Sequence, residues 1–262
     1  MQPDVVKTAD RLITEHADGV VFTPFAAADG VATVSDAYAV QREFVRRQMQ
    51  TRGTGPVGYK IGLTSKRMQD MCDIDSPIAG VVLADRVHTS GARLSAAAYG
   101  RLGVEFEIAV RLKSDLTGAG GMLALAEVAA AVDAVCPAIE IIDDRGADYA
   151  ALDALSLIAD NSWNAGIVCG EFVRDWPDLA AIEGVVSVDG EAVDRGLGRD
   201  VLGHPFHPVA WLATHLAMRG TRLHAGDIVM TGSVVTTKFP DRPLAYHFAV
   251  AGLGAVEVTI AA

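Results

Sequence analysis

The chain has 262 residues, half of them hydrophobic and 21% charged, with a formal net charge of −11. That is room for one large or two small domains with a full core, and an acidic balance without any basic stripe excludes a nucleic-acid backbone as partner. The start, Met1-Gln-Pro-Asp-Val-Val-Lys7, lacks the basic and apolar regions of a secretory leader, no apolar run approaches a membrane span, and Cys72, Cys136 and Cys169 are widely spaced, so the expectation is a cytoplasmic protein with buried thiols.

From Pro3 to Glu15, Val5, Val6, Ala9, Leu12 and Ile13 share one helical face. A second helix is predicted from about Ser35-Asp36, both good N-cap types, through Tyr38, Gln41, Phe44, Val45 and Gln48. Turn residues between Thr51 and Gly58 close this helical section, residues 1–55. The texture then changes. Short β-type runs are predicted over 57–63, 104–112, 138–142, 166–169, 185–188, 227–230, 246–250 and 255–260, and Asp189-Gly190 marks a two-residue hairpin. Helices are predicted over 126–135, which is alanine-rich, and 208–219, which opens on Pro208 and stops at Gly220. The expected fold class is α+β, a helical section followed by a β-rich body over 56–262.

Two strands of that body carry the chemistry. In Arg101-Leu-Gly-Val-Glu-Phe-Glu-Ile-Ala-Val-Arg111, strand alternation points Glu105 and Glu107 to one face and Phe106 to the other. Glu140 lies in a second apolar run, Cys136-Pro-Ala-Ile-Glu-Ile-Ile-Asp143. If the strands are neighbours, three carboxylates converge, and a hard divalent cation resolves their repulsion; an all-oxygen set favours magnesium, manganese or calcium over zinc. The plainer reading is two half-exposed strands whose glutamates face water.

Lys60, inside the apolar, glycine-flanked Gly58-Tyr-Lys-Ile-Gly62, is either an ion-pair partner for those carboxylates, a catalytic cation, or a strand-edge lysine reaching solvent. Thr231-Gly-Ser233 interrupts a strand, and its hydroxyls and free backbone N–H groups can bind a carboxylate or simply form a turn. The polar Asp160-Asn-Ser-Trp-Asn-Ala-Gly166 feeds an apolar strand, as a loop bordering a site or as a helix cap. His204 and His207, in a proline-rich loop, read as structural.

In combination these segments resemble the hydratase/decarboxylase branch of the fumarylacetoacetate hydrolase superfamily. The resemblance runs from about Asp36 to the C-terminus and is carried by Ala37-Tyr-Ala-Val-Gln-Arg-Glu43, Lys60-Ile-Gly-Leu-Thr-Ser-Lys-Arg-Met-Gln69, Glu105-Phe-Glu107, Pro137-Ala-Ile-Glu140-Ile-Ile-Asp143, Asp160-Asn161 and Gly232-Ser233. It implies a β-roll catalytic body, a homo-oligomer, and a magnesium or manganese ion held by Glu105, Glu107 and Glu140. It further implies Lys60 as the active-site lysine and Gly232-Ser233 as the contact for the carboxylate of a small 2-oxo acid. The hydrolase branch matches less well, since Leu63 to Ile78 contains no histidine.

Two positions depart from the branch's pattern. Pro77-Ile-Ala-Gly80 stands where its hydratases carry Pro-Asp-aromatic-Gly, leaving Asp85 as the nearby acid/base candidate. Trp163 stands where a small residue follows Asp-Asn; with Ser162 it is a candidate substrate contact, and lining a pocket it favours an apolar tail. Lys238 and Arg242 are candidates for a distal carboxylate instead. The expected reaction is hydration of a 2-hydroxy-2,4-dienoate to a 4-hydroxy-2-oxo acid. The alternatives are decarboxylation of a 4-oxalocrotonate-type acid and a non-catalytic keto-acid-binding subunit.

Overall fold

A computed structural model describes residues 3–262. Helix α1 spans Val5–Asp18, opened by the Asp4 side chain accepting the Lys7 N–H and ended at Gly19 with φ 63°. Helix α2 spans Val34–Arg52, and its cap is Thr33, not Ser35 or Asp36: Thr33 accepts the Asp36 N–H while the Asp36 carboxylate accepts the Thr33 N–H. This reciprocal cap is worth about 1 kcal/mol. The chain then runs through β1 (Pro56–Gly62), α3 (Lys66–Met71), β2 (Ile78–Leu83), β3 (Val87–Thr89), β4 (Ala92–Ser95) and β5 (Leu102–Leu112). Next come α4 (Leu125–Ala131), β6 (Val132–Asp143), α5 (Ala154–Ala159), β7 (Asn164–Cys169), β8 (Glu183–Val188) and β9 (Glu191–Leu197). Helix α6 (Phe206–Ala217) and strands β10 (Ile228–Ser233), β11 (Leu244–Val250) and β12 (Gly254–Ala261) complete it.

A seven-stranded sheet has the order β2-β1-β10-β5-β6-β7-β3, and a five-stranded sheet the order β4-β12-β11-β8-β9. The larger sheet curls until β2 packs against β7 and the turn before it, and Asn161 stitches the closure by donating to Val81 O at 2.9 Å and accepting the Val81 N–H at 2.7 Å. This is the roll that the resemblance implied. Alternation gives it two faces. The inner face carries Glu105, Glu107 and Glu140 toward one end, while small and medium side chains (Val82, Ala109, Cys136, Ala138, Ile167, Met230) fill the other. The outer face carries Phe106, whose ring packs on Tyr246 and Phe248 of β11 and joins the two sheets in one core. The helical section shares that core through Ala9, Leu12, Val40 and Phe44. From α2, Tyr38 Oη accepts the Ala79 N–H and Gln41 donates to Ala79 O, which fixes β2 beside the roll.

The helix predicted over 126–135 is shorter than expected. It stops at Ala131 because Val132 and Val135 pair with Leu112 and Val110 of β5, where β-branched side chains pack well. The Asp189-Gly190 hairpin forms as expected, with φ 50° and 91°, joining β8 to β9. Strands β2, β3 and β4 and helices α3 and α5 escaped the sequence reading, being only three to six residues long.

Candidate active site

Strands β5 and β6 are antiparallel neighbours, with Glu105 directly opposite Glu140 and Glu107 opposite Ala138. One oxygen from each of Glu105, Glu107 and Glu140 lies within 4.8 Å of the others. Glu107 and Glu140 are fully buried. Lys60 on β1, 4% exposed, points into the same end of the roll with Nζ 3.2 Å from Glu140 Oε1. It is therefore neither a solvent-reaching edge lysine nor isolated. Gly80 pairs with Lys60 across β1 and β2; a Cβ there would lie 2.6 Å from Asn161 O and 3.1 Å from Lys60 Cγ, so glycine leaves the space that the lysine stem uses.

The electrostatics are those of a site short of positive charge. Burial, with Glu140 and Glu105 nearby, raises the Glu107 carboxyl well above its ordinary range. Burial pushes Glu140 up to about 7, against the pull of Lys60. Burial opposes the Lys60 charge, but the three carboxylates outweigh it and hold the ammonium above its ordinary value. Three carboxylates against one ammonium leave two negative charges uncompensated when all are ionised. Glu107 Oε1 and Glu140 Oε2 are buried without a hydrogen-bond partner. Orphaned, mutually close carboxylate oxygens with no nitrogen or sulfur donor in the set fit a hard divalent cation.

A cavity of about 570 Å³ opens over this end of the roll. Its wall includes Lys60, Glu105, Ser162 and Ser233, and it is otherwise mostly apolar, with Ile78, Leu157, Trp163 and Phe239 among its side chains. Asn161, Ser162 and Trp163 take φ values of 51°, 51° and 58°, a left-handed turn that costs roughly 1–2 kcal/mol per residue. Asp160, just before it, is held by Arg145 at 2.8 Å and by His16 of α1 at 2.6 Å. The turn gives Ser162 and Trp163 to the cavity wall. Trp163 is also 5% exposed and sits edge-on to Phe22 and Tyr149, so it is both a core and a wall residue. A second cavity, about 600 Å³ between Val31, Cys72 and Ala154, includes none of the glutamates in its wall.

The remaining candidates divide. Gly232, with φ 110°, donates its N–H to Glu107 Oε2 at 2.7 Å, so that turn serves a carboxylate of the protein itself. The Ser233 hydroxyl is engaged with the Phe106 backbone. Asp85 is not brought to the cavity: it lies on a surface turn before β3, 3.4 Å from Arg52, because the chain leaves the roll at Leu83. Lys238 pairs with Asp194 of β9 and does not line the cavity, and Arg242 pairs with Asp189 at 2.9 Å. His204 and His207 bond to loop backbone, as expected. Three further residues were given no role of their own from the sequence. Thr237 Oγ1 donates to Glu105 Oε1 at 2.6 Å, and Asn164 Nδ2 donates to Glu140 Oε1 at 2.9 Å. Arg67 lines the cavity from α3 with no carboxylate within 4 Å among the described residues. The run of two threonines after Gly232 was the available signal for Thr237, and the polar 160–166 segment read as bordering a site contains Asn164; Arg67 lay inside the Lys60–Gln69 motif without a mark of its own.

Residues 39–261 match the family model described as fumarylacetoacetate (FAA) hydrolase C-terminal. A 4-oxalocrotonate decarboxylase of Pseudomonas putida is 37% identical over 205 residues, covering 77% of this chain and 76% of that protein. A 2-keto-4-pentenoate hydratase of Burkholderia vietnamiensis is 33% identical over 260 residues, covering 97% of each. Among solved structures, 4-oxalocrotonate decarboxylase from Pseudomonas putida G7, complexed with magnesium and adipate, superposes with a TM-score of 0.91 at 31% identity, covering 98% of this chain and 97% of that one. The family match spans the roll, the glutamate triad and Lys60 together, and the chain belongs to the fumarylacetoacetate hydrolase C-terminal family.

Proposed function

We propose that this protein is a divalent-metal-dependent lyase that hydrates a 2-hydroxy-2,4-dienoate to a 4-hydroxy-2-oxo acid, with Glu105, Glu107 and Glu140 holding magnesium or manganese. The observation that carries the reading is the pair of orphaned carboxylate oxygens beside Lys60 at the end of a largely apolar cavity. The hydratases and decarboxylases among its relatives, and the magnesium in a solved relative, support it. When bound, the ion supplies a Lewis acid that lowers the cost of an enolate.

The chain's own residues do the rest. Lys60 orients the substrate's anionic end, and the mainly apolar wall around Trp163 takes an uncharged tail and limits water to what the reaction needs. Lys238 and Arg242, already paired, are not free for a distal carboxylate. A self-associating enzyme within the cytoplasm belongs to the same proposal; among the described residues no helix is long and apolar enough to cross a membrane.

One observation favours a second reading. Ile78, 1% exposed, forms wall where the branch's hydratases carry an acid, so no carboxylate stands there to move a proton of water. Decarboxylation needs no such group, because the electron pair of the departing carboxylate enters the same sink. Arg67 would then meet the second carboxylate of the diacid. Product analysis with 2-hydroxypenta-2,4-dienoate and 4-oxalocrotonate side by side separates the two. Hydration of the neutral dienoate is expected; carbon dioxide release from 4-oxalocrotonate with no hydration of any neutral-tailed dienoate would overturn it in favour of the second reading.

A further inference from the structure

Each glutamate of the triad has one oxygen committed to the protein. Glu105 Oε1 accepts the Thr237 hydroxyl, Glu107 Oε2 the Gly232 N–H, and Glu140 Oε1 both the Asn164 amide and Lys60. The opposite oxygens of Glu107 and Glu140 are the orphaned ones. A carboxylate held in this way presents its free oxygen to an ion first, and to offer both it must share the committed oxygen between the ion and the chain's donor. Calcium takes six to eight oxygens and readily accepts a carboxylate through both, whereas magnesium takes fewer, single-oxygen ligands and keeps part of its water.

The two side-chain donors are themselves fixed. Thr237 lies on a segment that runs back along β5, with Val234 N–H on Phe106 O and Lys238 N–H on Val104 O, and the Lys238–Asp194 ion pair ties that segment to β9. Asn164 is the first residue of β7, directly after the left-handed turn that Asp160 and Asn161 anchor. The costly backbone of that turn therefore delivers a donor to Glu140 as well as two side chains to the cavity wall.

We propose that Thr237 and Asn164 are ion-selecting residues: by holding Glu105 and Glu140 to one free oxygen each, they set the triad for magnesium and against calcium. This rests on the reading of the triad as a metal site and assigns the selectivity within it. Neither residue touches the ion; both act through its ligands. Outer partners of this kind are worth about 10- to 100-fold in metal affinity.

The test is calorimetric titration of the metal-stripped protein with magnesium chloride and with calcium chloride, for the wild type and for Thr237→Val, Thr237→Ser and Asn164→Leu. Thermal unfolding in chelator checks that each variant is folded. Magnesium affinity is expected to fall roughly 10- to 100-fold in Thr237→Val and Asn164→Leu, calcium affinity to fall less or to rise, and Thr237→Ser to keep the wild-type ratio. Equal losses for the two ions, or no loss for either, would overturn the assignment while leaving the metal site standing. A wild type that binds neither ion would overturn the metal site itself.

Discussion

Glu107 and Glu140 are buried carboxyls that hold protons more tightly folded than unfolded. The sign of the pH dependence follows. Below about pH 4.5, the ordinary value, both states are protonated; between there and about 7 the unfolded chain releases the Glu140 proton first, so the metal-free fold loses stability as pH rises. Lys60 lies above this window, and the carboxylates held low by arginine partners, such as Asp133, titrate below it. An ion must displace the same protons, so its affinity climbs over the same range. Burial drives His215 down to about 3, so its contribution rises with pH up to about 6.5 and opposes the glutamates there. Thermal unfolding in chelator is therefore expected to show a midpoint that falls from about pH 6.5 to 7.5, with added magnesium restoring it; a midpoint that rises over that upper range without metal would contradict the protonation scheme. For the cavity wall, Trp163→Ala removes an edge-on partner of Phe22 and Tyr149 and part of the surface proposed for the tail. A loss of roughly 3–5 kcal/mol in stability and a shift of kcat/KM toward longer neutral tails are expected from chemical denaturation and substrate comparison. An unchanged tail preference would leave the indole a core residue only.

At the scale of elements, what the sequence revealed depended on whether the information was local. Alternation in β5 places Glu105 and Glu107 on one face regardless of the rest of the fold, and the length of the apolar runs made β5 and β6 visible. That β6 lies beside β5 with Glu140 opposite Glu105 is a matter of register, which local pattern did not carry; the family resemblance implied only that the three glutamates converge. Asp85 and Lys238 failed for the converse reason: nearness in sequence to site segments says nothing about where a surface turn or a neighbouring strand sends the side chain. Short elements such as β2 and α5 carry too few residues for periodicity to register, yet β2 holds Gly80 and α5 leads into the left-handed turn. The anchor of that turn can be weighed directly. Asp160 and Arg145 are both buried, and removing Asp160 leaves Arg145 with Glu15, 3.8 Å away, as its one carboxylate among the described residues, at a cost of up to about 3–5 kcal/mol. Asp160→Asn is therefore expected to lower denaturant stability by that amount, whereas Lys66→Ala, whose partner Asp70 is in solvent, is expected to change it little. Similar small losses for both would show that the turn holds without its ion pair.

For the whole molecule, the two sheets divide the work. The outer face of the roll, joined to the five-stranded sheet through Phe106, Tyr246 and Phe248, provides the core that supports a costly interior. The inner face then carries three carboxylates and a lysine that no folding requirement would bring together; they raise one another's proton affinity or fight burial, and the proposed cation would resolve the conflict. The most direct measurement follows the near-ultraviolet absorbance of 2-hydroxypenta-2,4-dienoate with metal-stripped protein, before and after magnesium is added, for the wild type and Glu107→Gln. No decay without the ion, rapid decay with it, and a loss of roughly a hundredfold or more in the variant are expected, since an outer partner alone is worth 10- to 100-fold in affinity or activity. Full turnover in excess chelator, or undiminished turnover by Glu107→Gln, would contradict the account.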